Sequence, residues 1–561
     1  MPHAVSAPSP GLQALVLCGP GSSFPTFTSD PDKHPKALLP IANRPMVWYP
    51  LNFLYDMGIT DITLVCPASS KEAITQAFQR DPCLTTALPL PKPTLLFPED
   101  LEQTTGTAEI LRLPAIREAI TSDFVVLPCD LICEVPGEKL LQAWMVKAAS
   151  LSEILGAPSS TGTLREASGG FAVFYETKTA LAVKKEETDF IATTPLPATP
   201  IAPQKGSLLP QLSNLVYSMP KDSLRDVMLD KNGLPLRHGL LRAHPRVRML
   251  TTYRDAHLYI FPKWILDFIN DNEPLESISE DVIGWWAKAG WQAGLGEKLG
   301  LRKILQAPED EQEDAASVER TPSPQEDPTD AASTSHLTTK RRLSNAGGSH
   351  AGNIPGNDGA AEVEALQVPP ILAYVHPTGD TAPLIRRVDT AEMLLNVSLH
   401  LAKLAPVEEA GSEASPLAHA RKVSYPEGVK PRTTITKQDS LVGNNVLVEE
   451  KVAIKETVVG NNCHIHEGAK LHQCLLMDGV RVGKHCKLTK CILGPHSVIE
   501  DGTVLTNCQV QENYRVEAKT EEKDHKFMSS AGLEADDDEA EGVLQDMDDE
   551  VQAFNETAIV E

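Results

Sequence analysis

No C-x-x-C pair occurs among the ten cysteines, no long apolar run interrupts the 561 residues, and aromatic side chains make up only 5% of the chain. The missing cysteine pairs argue against a zinc ribbon or a redox dithiol. Without a long apolar run there is no candidate membrane span, and the first residues carry no signal-peptide pattern. A basic cluster, Arg237, His238, Arg242, Arg246 and Arg248, has no stacking aromatics interleaved with it. With 51 Lys and Arg against 76 Asp and Glu, direct nucleic-acid binding is not expected. These absences describe a reduced, cytosolic, soluble protein with no membrane partner.

What acid there is sits in two stretches. Residues 534–561 hold twelve acids and no base, and residues 308–330 hold nine acids and one Arg. Setting these aside leaves about five of the 25 net negative charges for everything else, so the acidity belongs to tails rather than to a folded surface. Residues 307–369 contain no aromatic and are rich in Asp, Glu, Ser, Thr, Gly and Asn. That composition predicts a disordered insertion, within which Thr321-Pro322, Ser323-Pro324 and the string ending at Ser344 resemble kinase sites.

Between residues 440 and 510 one pattern returns every seventeen residues. Apolar residues stand at Val442, Val448 and Ile454, then Val459, Ile465 and Leu471, then Leu476, Val482 and Leu488, then Leu493, Ile499 and Leu505, in steps of six, six and five. Small residues keep the same period: Ser440, Thr457, Cys474, Cys491 and Cys508 form one row, and Cys463 and Cys486 belong to two others. Such a period fits neither a helix nor an alternating strand, but it fits a triangular coil with one apolar side chain pointing inward from each face. This predicts a parallel β-helix of four to five coils over 433–516, its cysteines packed as small hydrophobes and its ends capped by something else. Gly443, Gly460 and Gly494, with Asn444, Asn445, Asn461 and Asn462, are expected to take the positive φ of tight corners. His464, His466 and His472 are read as hydrated outward positions.

Ahead of the coil the pattern is α/β. A strand over 12–17, the glycine loop Cys18-Gly19-Pro20-Gly21-Ser22-Ser23-Phe24, a helix over 45–57 and a strand over 62–65 make a βαβ start. A strand over 95–97, a helix over 107–119 and a strand over 124–127 continue it, predicting a mostly parallel sheet covered on both faces. Strands over 371–375 and 384–388 and an amphipathic helix over 390–404 follow the insertion, which therefore interrupts this domain. The expected units are 11–304 with 370–405, the insertion 307–369, a connector 406–432, the coil 433–516 and an acidic flexible tail 517–561. Trp285, Trp286 and Trp291 are assigned to core or subunit contact.

The segment Pro35-Lys36-Ala37-Leu38-Leu39-Pro40-Ile41-Ala42-Asn43-Arg44-Pro45-Met46, following a glycine loop, resembles the sugar-phosphate nucleotidyltransferase family. That resemblance implies a Rossmann-like nucleotidyltransferase domain followed by a left-handed β-helix of hexapeptide repeats. It also implies loop amides at Gly19 and Gly21 around a nucleotide, Lys36 on its phosphates, and Asp130 as the metal-binding acid, with Gly106-Thr107-Ala108 resembling the G-T-A segment. The loop departs from the family pattern: Cys18 stands for the first Gly and Ser23 for the Arg. Loss of one such charged donor costs on the order of 3 kcal/mol in the transition state, so these four positions are expected to be vestigial.

The eroded loop with P-K-A-L-L-P retained, the D-A-H-L-Y-I-F strand at 255–261 before W-I-L-D-F at 264–268, and the seventeen-residue coil together resemble the gamma-subunit family of eukaryotic translation initiation factor 2B. The resemblance implies a non-catalytic subunit of the guanine-nucleotide exchange factor for GDP-bound initiation factor 2, without cofactor or metal. Its implied partners are an epsilon subunit, which carries the exchange chemistry, and alpha, beta and delta subunits in a decamer. The alternative is an active pyrophosphorylase of the GDP-mannose type, which Ser23 opposes; an acyltransferase using a coil histidine is a third.

Overall fold

The computed structural model describes residues 11–99, 101, 104–148, 167–184, 186–197, 202–234, 236–305, 366–379, 382–411 and 414–529. The kinase-like strings at Thr321, Ser323 and Ser344 and the tail beyond 529 lie outside these residues. The first domain contributes β1 (Gln13–Leu17), β2 (Pro40–Ile41), β3 (Arg44–Pro45), β4 (Asp61–Val65), β5 (Thr94–Leu96), β6 (Phe124–Pro128), β7 (Leu131–Cys133), β8 (Gly170–Glu176), β9 (Asp189–Pro195), β10 (Leu212–Pro220), β11 (Arg248–Phe261), β12 (Ile371–Val375) and β13 (Ile385–Arg387). Nine of them form one sheet in the order β5-β4-β1-β6-β11-β8-β12-β10-β9.

The half from β5 to β6 is parallel, as the sequence predicts, because its strands are apolar on both sides. Ala14 and Val16 of β1 enter one hydrophobic core and Leu15 the core on the opposite face. Beyond β6 the pairing changes. β11 runs antiparallel to both β6 and β8, and β10 antiparallel to both β12 and β9, so the sheet is mixed rather than mostly parallel. β9 and β10 are joined without a crossover helix, which favours antiparallel pairing, and β11, at 14 residues, is long enough to reach β9 as well as β6 and β8.

Local chemistry explains two shifted boundaries. The helix predicted from residue 45 begins at Trp48, because Ala42 and Asn43 both adopt positive φ (46° and 63°) and turn β2 back on β3 as a two-residue hairpin. The helix predicted over 107–119 is two, Thr107–Arg112 and Pro114–Ala119, since Pro114 cannot donate to the preceding turn. The insertion also ends earlier than its composition suggests. Leu366 and Val368 pack on the second core and the carbonyl of Pro369 accepts from Trp286 Nε1 at 2.8 Å, before β12 enters the sheet between β8 and β10.

The coil consists of three parallel sheets of six, six and five strands, with ladder partners seventeen residues apart, as in Val442↔Val459 and Ile465↔Val482. The twelve apolar positions of the repeat lie in one buried cluster, none more than 1% exposed. The coil is longer than predicted at both ends. Val423 and Val429 bridge to Val442 and Val448 inside the expected connector, and Glu521–Lys523 and Lys526–Phe527 add strands inside the expected tail. The expected end at 516 falls short because Glu522, paired with Leu505, puts an exposed charge where the apolar row should continue, while Phe527 resumes it beside Val510.

Corners take positive φ as expected of Asn445 and Asn462, but not at Gly443, Gly460, Gly494, Asn444 or Asn461. Those glycines serve close approach between coils: a Cβ on Gly443 would stand 2.8 Å from the carbonyl oxygen of Gly460. The coil is covered on a side rather than only at its ends. An outward row, Leu441, Val458, Leu475 and Ile492, joins the first domain's core, against the helix Ala391–Lys403.

Candidate functional site

The P-K-A-L-L-P segment is held rigidly. Lys36–Leu38 form a short 3-10 turn, Met46 and Val47 donate backbone N–H groups to Leu39 and Ala37, and Tyr49 Oη donates to the carbonyl of Ile41 at 2.7 Å. This aims Lys36 at the end of β6. There Asp130, 1% exposed, accepts from Lys36 Nζ at 2.7 Å on Oδ2 and pairs with Arg387 Nε at 3.4 Å on Oδ1. Arg387 reaches it because β13 pairs with β7, which follows Asp130 directly. Burial would raise the Asp130 carboxyl's pKa, but the two cations outweigh it and hold it well below the usual carboxylate range. Asp130 also keeps the Lys36 ammonium above its ordinary value in spite of burial.

Lys36 and Arg387 line a cleft of about 700 Å³ with Ser23, Asp189, Arg254, His257 and Asp389. Arg254 in turn pairs with Asp389 at 2.5 Å and Glu187 at 3.2 Å. Three cations of the cleft thus meet carboxylates of this same chain. Deeper in, β11 bulges at His257 (φ 53°), and Asp255 beneath it accepts from Tyr259 Oη at 2.6 Å and from the His257 backbone at 2.8 Å. Burial beside Asp189 pushes the Asp255 carboxyl up to about 7, and burial lowers the His257 imidazole.

The glycine loop reaches the cleft through Ser23, while the rest of it is held by contacts of its own. Gly21, at φ 93°, accepts on its carbonyl from Thr28 Oγ1 at 2.7 Å and from the Phe24 backbone at 2.9 Å, while Phe24 and Phe27 sink into the core. A side chain at Gly19 would meet nothing within 4 Å. The loop's far end is fastened to the coil: Thr26 Oγ1 donates to Gln509 Oε1 at 3.1 Å, Ser29 Oγ donates to Glu512 Oε1 at 3.1 Å, and Gln511 Nε2 donates to Ser29 Oγ at 2.8 Å. Cys18, at the position of the family's first Gly, is buried near Cys66 and Cys129, and its thiol pKa is raised. The hairpin after Lys36 is fastened to the coil by Asn43 Nδ2, which donates to the carbonyl of Val459, and to the segment ahead of the coil by Arg44, which donates to the carbonyls of Leu417 and Ala418.

Residues 425–521 match the family model described as the EIF2B subunit epsilon LbH domain. The chain is 29% identical over 297 residues to translation initiation factor eIF2B subunit gamma of Schizosaccharomyces pombe, covering 53% of this chain and 56% of that one. It is similar to an eIF2B gamma subunit. The same subunit of Dictyostelium discoideum is 27% identical over 244 residues, 43% of this chain and 47% of its own. The epsilon subunit of S. pombe is 28% identical over 136 residues, 24% of this chain and 19% of that one. The chain thus spans about half the length of the gamma subunits it matches. The coil matches an epsilon description, while the longer matches are to gamma subunits.

Of the four residues singled out from the resemblance to nucleotidyltransferases, Lys36 and Asp130 meet each other, and Gly19 and Gly21 lie in the loop leading to the coil. Sequence reasoning missed Arg387, Arg254 and Asp389. Nothing in their spacing marks them, because β11 and β13 come from distant parts of the chain. Of the tryptophans, Trp286 is core, Trp291 Nε1 donates to the carbonyl of Val216, and Trp285 is 39% exposed. Among the described residues no helix is long and apolar enough to cross a membrane.

Proposed function

We propose that this chain is a non-catalytic, gamma-type subunit of a guanine-nucleotide exchange factor of the eIF2B kind, acting in the cytosol during translation initiation. It pairs with an epsilon-type subunit, assembles with alpha, beta and delta subunits into a decamer, and raises GDP release from initiation factor 2 by positioning rather than by chemistry. The observation that carries the reading is the closure of Lys36 and Arg387 on Asp130. A nucleotidyltransferase needs its lysine free for phosphate and its aspartate free for a metal ion. Here each satisfies the other, and exposing them to a triphosphate would first require breaking a buried pair. Ser23 offers no guanidinium to replace what is lost.

In this role the gain is one of effective concentration: the subunit holds the exchange domain of its partner near the substrate factor. The test measures release of labelled GDP from initiation factor 2 with this chain alone, with epsilon alone and with both. Release near background, present, and higher, in that order, is expected. Full exchange by this chain alone, or no increase when it joins epsilon, refutes the assignment; pyrophosphate-dependent turnover of a sugar nucleotide would instead favour the pyrophosphorylase.

A further inference from the structure

One group of side chains on the coil takes no part in the role proposed above. Glu449 follows the strand Leu447–Val448, and His464 and His466 flank Ile465 in the next coil. Pairing of Leu447 with His464 and Val448 with Ile465 sets position 449 beside 466, and the Glu449 backbone donates to the carbonyl of Ile465 at 3.0 Å. Because Val448 and Ile465 point into the core, the residues on either side of them point out on the same face. Glu449 Oε1 therefore lies 3.5 Å from both His464 Nε2 and His466 Nδ1, and the two imidazole centroids are 4.0 Å apart. Among the described residues this is the one group of three His, Cys, Asp or Glu side chains whose ligand atoms all lie within 4.8 Å of one another.

The separations of 3.5 Å are long for hydrogen bonds, which for N–H to O centre near 2.9 Å. They suit a shared ion better. A tetrahedral cation with bonds of about 2.0–2.1 Å keeps its ligand atoms roughly 3.3–3.4 Å apart. The carboxylate is already oriented: Glu449 Oε2 accepts from the Glu467 backbone at 3.1 Å, which leaves Oε1 for the histidines. We propose that Glu449, His464 and His466 form a three-ligand site for Zn²⁺ on the outside of the coil, with the fourth position open to water. Two imidazoles and one carboxylate make a donor set that zinc accepts and that magnesium and calcium, which want oxygen alone, do not. The ion would tie one coil to the next. Arg481, which follows His464 in register, places a positive charge close by and is expected to weaken the binding of a cation.

The test is calorimetric titration of the full chain, stripped with chelator, with Zn²⁺ at pH 7.4. Uptake of one ion with a Kd of about 10 µM or tighter is expected, undisturbed by excess Mg²⁺. His464→Ala, His466→Ala and Glu449→Gln should each weaken it tenfold or more, while His472→Ala, on a different sheet of the coil, leaves it unchanged. Absence of saturable uptake, or equal uptake in all variants, overturns the proposal. A second measurement needs no variant: the Co²⁺-loaded native chain should show the visible absorption of a four-coordinate nitrogen and oxygen site, and a six-coordinate spectrum would place the bound ion elsewhere.

Discussion

Replacing Asp130 with Asn tests the closed pair directly. The carboxylate is 1% exposed, and the side chains of Lys36 and Arg387 facing it are 11% and 14% exposed. An amide of the same size leaves two cations pointing at each other with no negative charge between them. Breaking a buried pair in this way costs about 3–5 kcal/mol. The slight access of both cations to water argues for the lower end, about 3 kcal/mol, which at about 2 cal/mol/K of unfolding entropy per residue lowers the Tm of a first domain of roughly 300 residues by about 5 °C. Calorimetry at pH 7 would show it. Lys33→Ala, which removes an ion pair whose lysine is 75% exposed, serves as the comparison and should change little. The acid limb carries a second check. Because the folded-state pKa of Asp130 is depressed, its contribution is complete above the unfolded value of about 3.9 and is lost as pH falls through the folded value, so the native and Asp130→Asn curves should converge in acid. A loss below about 1 kcal/mol at pH 7, or parallel curves throughout, would refute the closed pair; so would a rise in native Tm with Mg²⁺ and GTP that Asp130→Asn abolishes.

Four other outcomes follow. Val482→Asp or Leu488→Asp puts an unpaired charge in the coil interior and should cost several kcal/mol, read as a lower melting point and weaker co-purification with epsilon; unchanged melting would show that these rows are not packed. Leu475→Asp, on the row that meets the helix Ala391–Lys403, should expose the junction of coil and first domain to limited proteolysis while leaving the coil's own strands intact, and a native digestion pattern would contradict the packing. Asp255, with its pKa raised to about 7, holds a proton in the folded state that the unfolded chain has released; stability should fall as pH rises from about 4 to 7, and Asp255→Asn should flatten that slope in urea denaturation, whereas an unchanged slope would assign it to other groups. Nucleotidyl transfer should remain at least 100-fold below a typical turnover of about 10 per second, and Ser23→Arg alone should not restore it, because Cys18 still occupies the position of a loop glycine; measurable rescue would place a competent site in the cleft.

The coil was legible because its geometry is a count. A seventeen-residue period puts Val442 on Val459 whatever the rest of the molecule does, so inward rows can be read directly from the sequence. The same count was available for two features it did not yield. Leu441, Val458, Leu475 and Ile492 repeat at that period on the outside, and Glu449 stands one period before His466. Both lie on outward positions, where the period alone does not separate a solvated side chain from a packed or ligating one. In the first domain the parallel half from β5 to β6 is legible from its apolar runs, whereas the directions of β11 and β10 are not, since they reverse through tertiary pairing that no local pattern announces. Lys36 and Asp130 stood out through a motif. Arg387 did not, because its meeting with Asp130, 257 residues away, depends on β13 pairing with β7.

The position of β12 has a consequence for how the molecule is made. β8 and β10 are its neighbours on either side, yet both have left the ribosome long before Ile371 is added. From the end of β10 to the start of β12 roughly 150 residues must be translated, which at about 5–20 residues per second takes on the order of 8–30 s. Throughout that interval the nascent sheet has a slot one strand wide, edged by the buried run Phe171 to Tyr175 on one side and Leu212 to Asn214 on the other. Unpaired edges of this kind recruit other chains. The long acidic stretch supplies about 60 of those residues, so its length prolongs the time for which the newborn chain depends on being shielded, and a chain truncated within it lacks the strand that fills the slot.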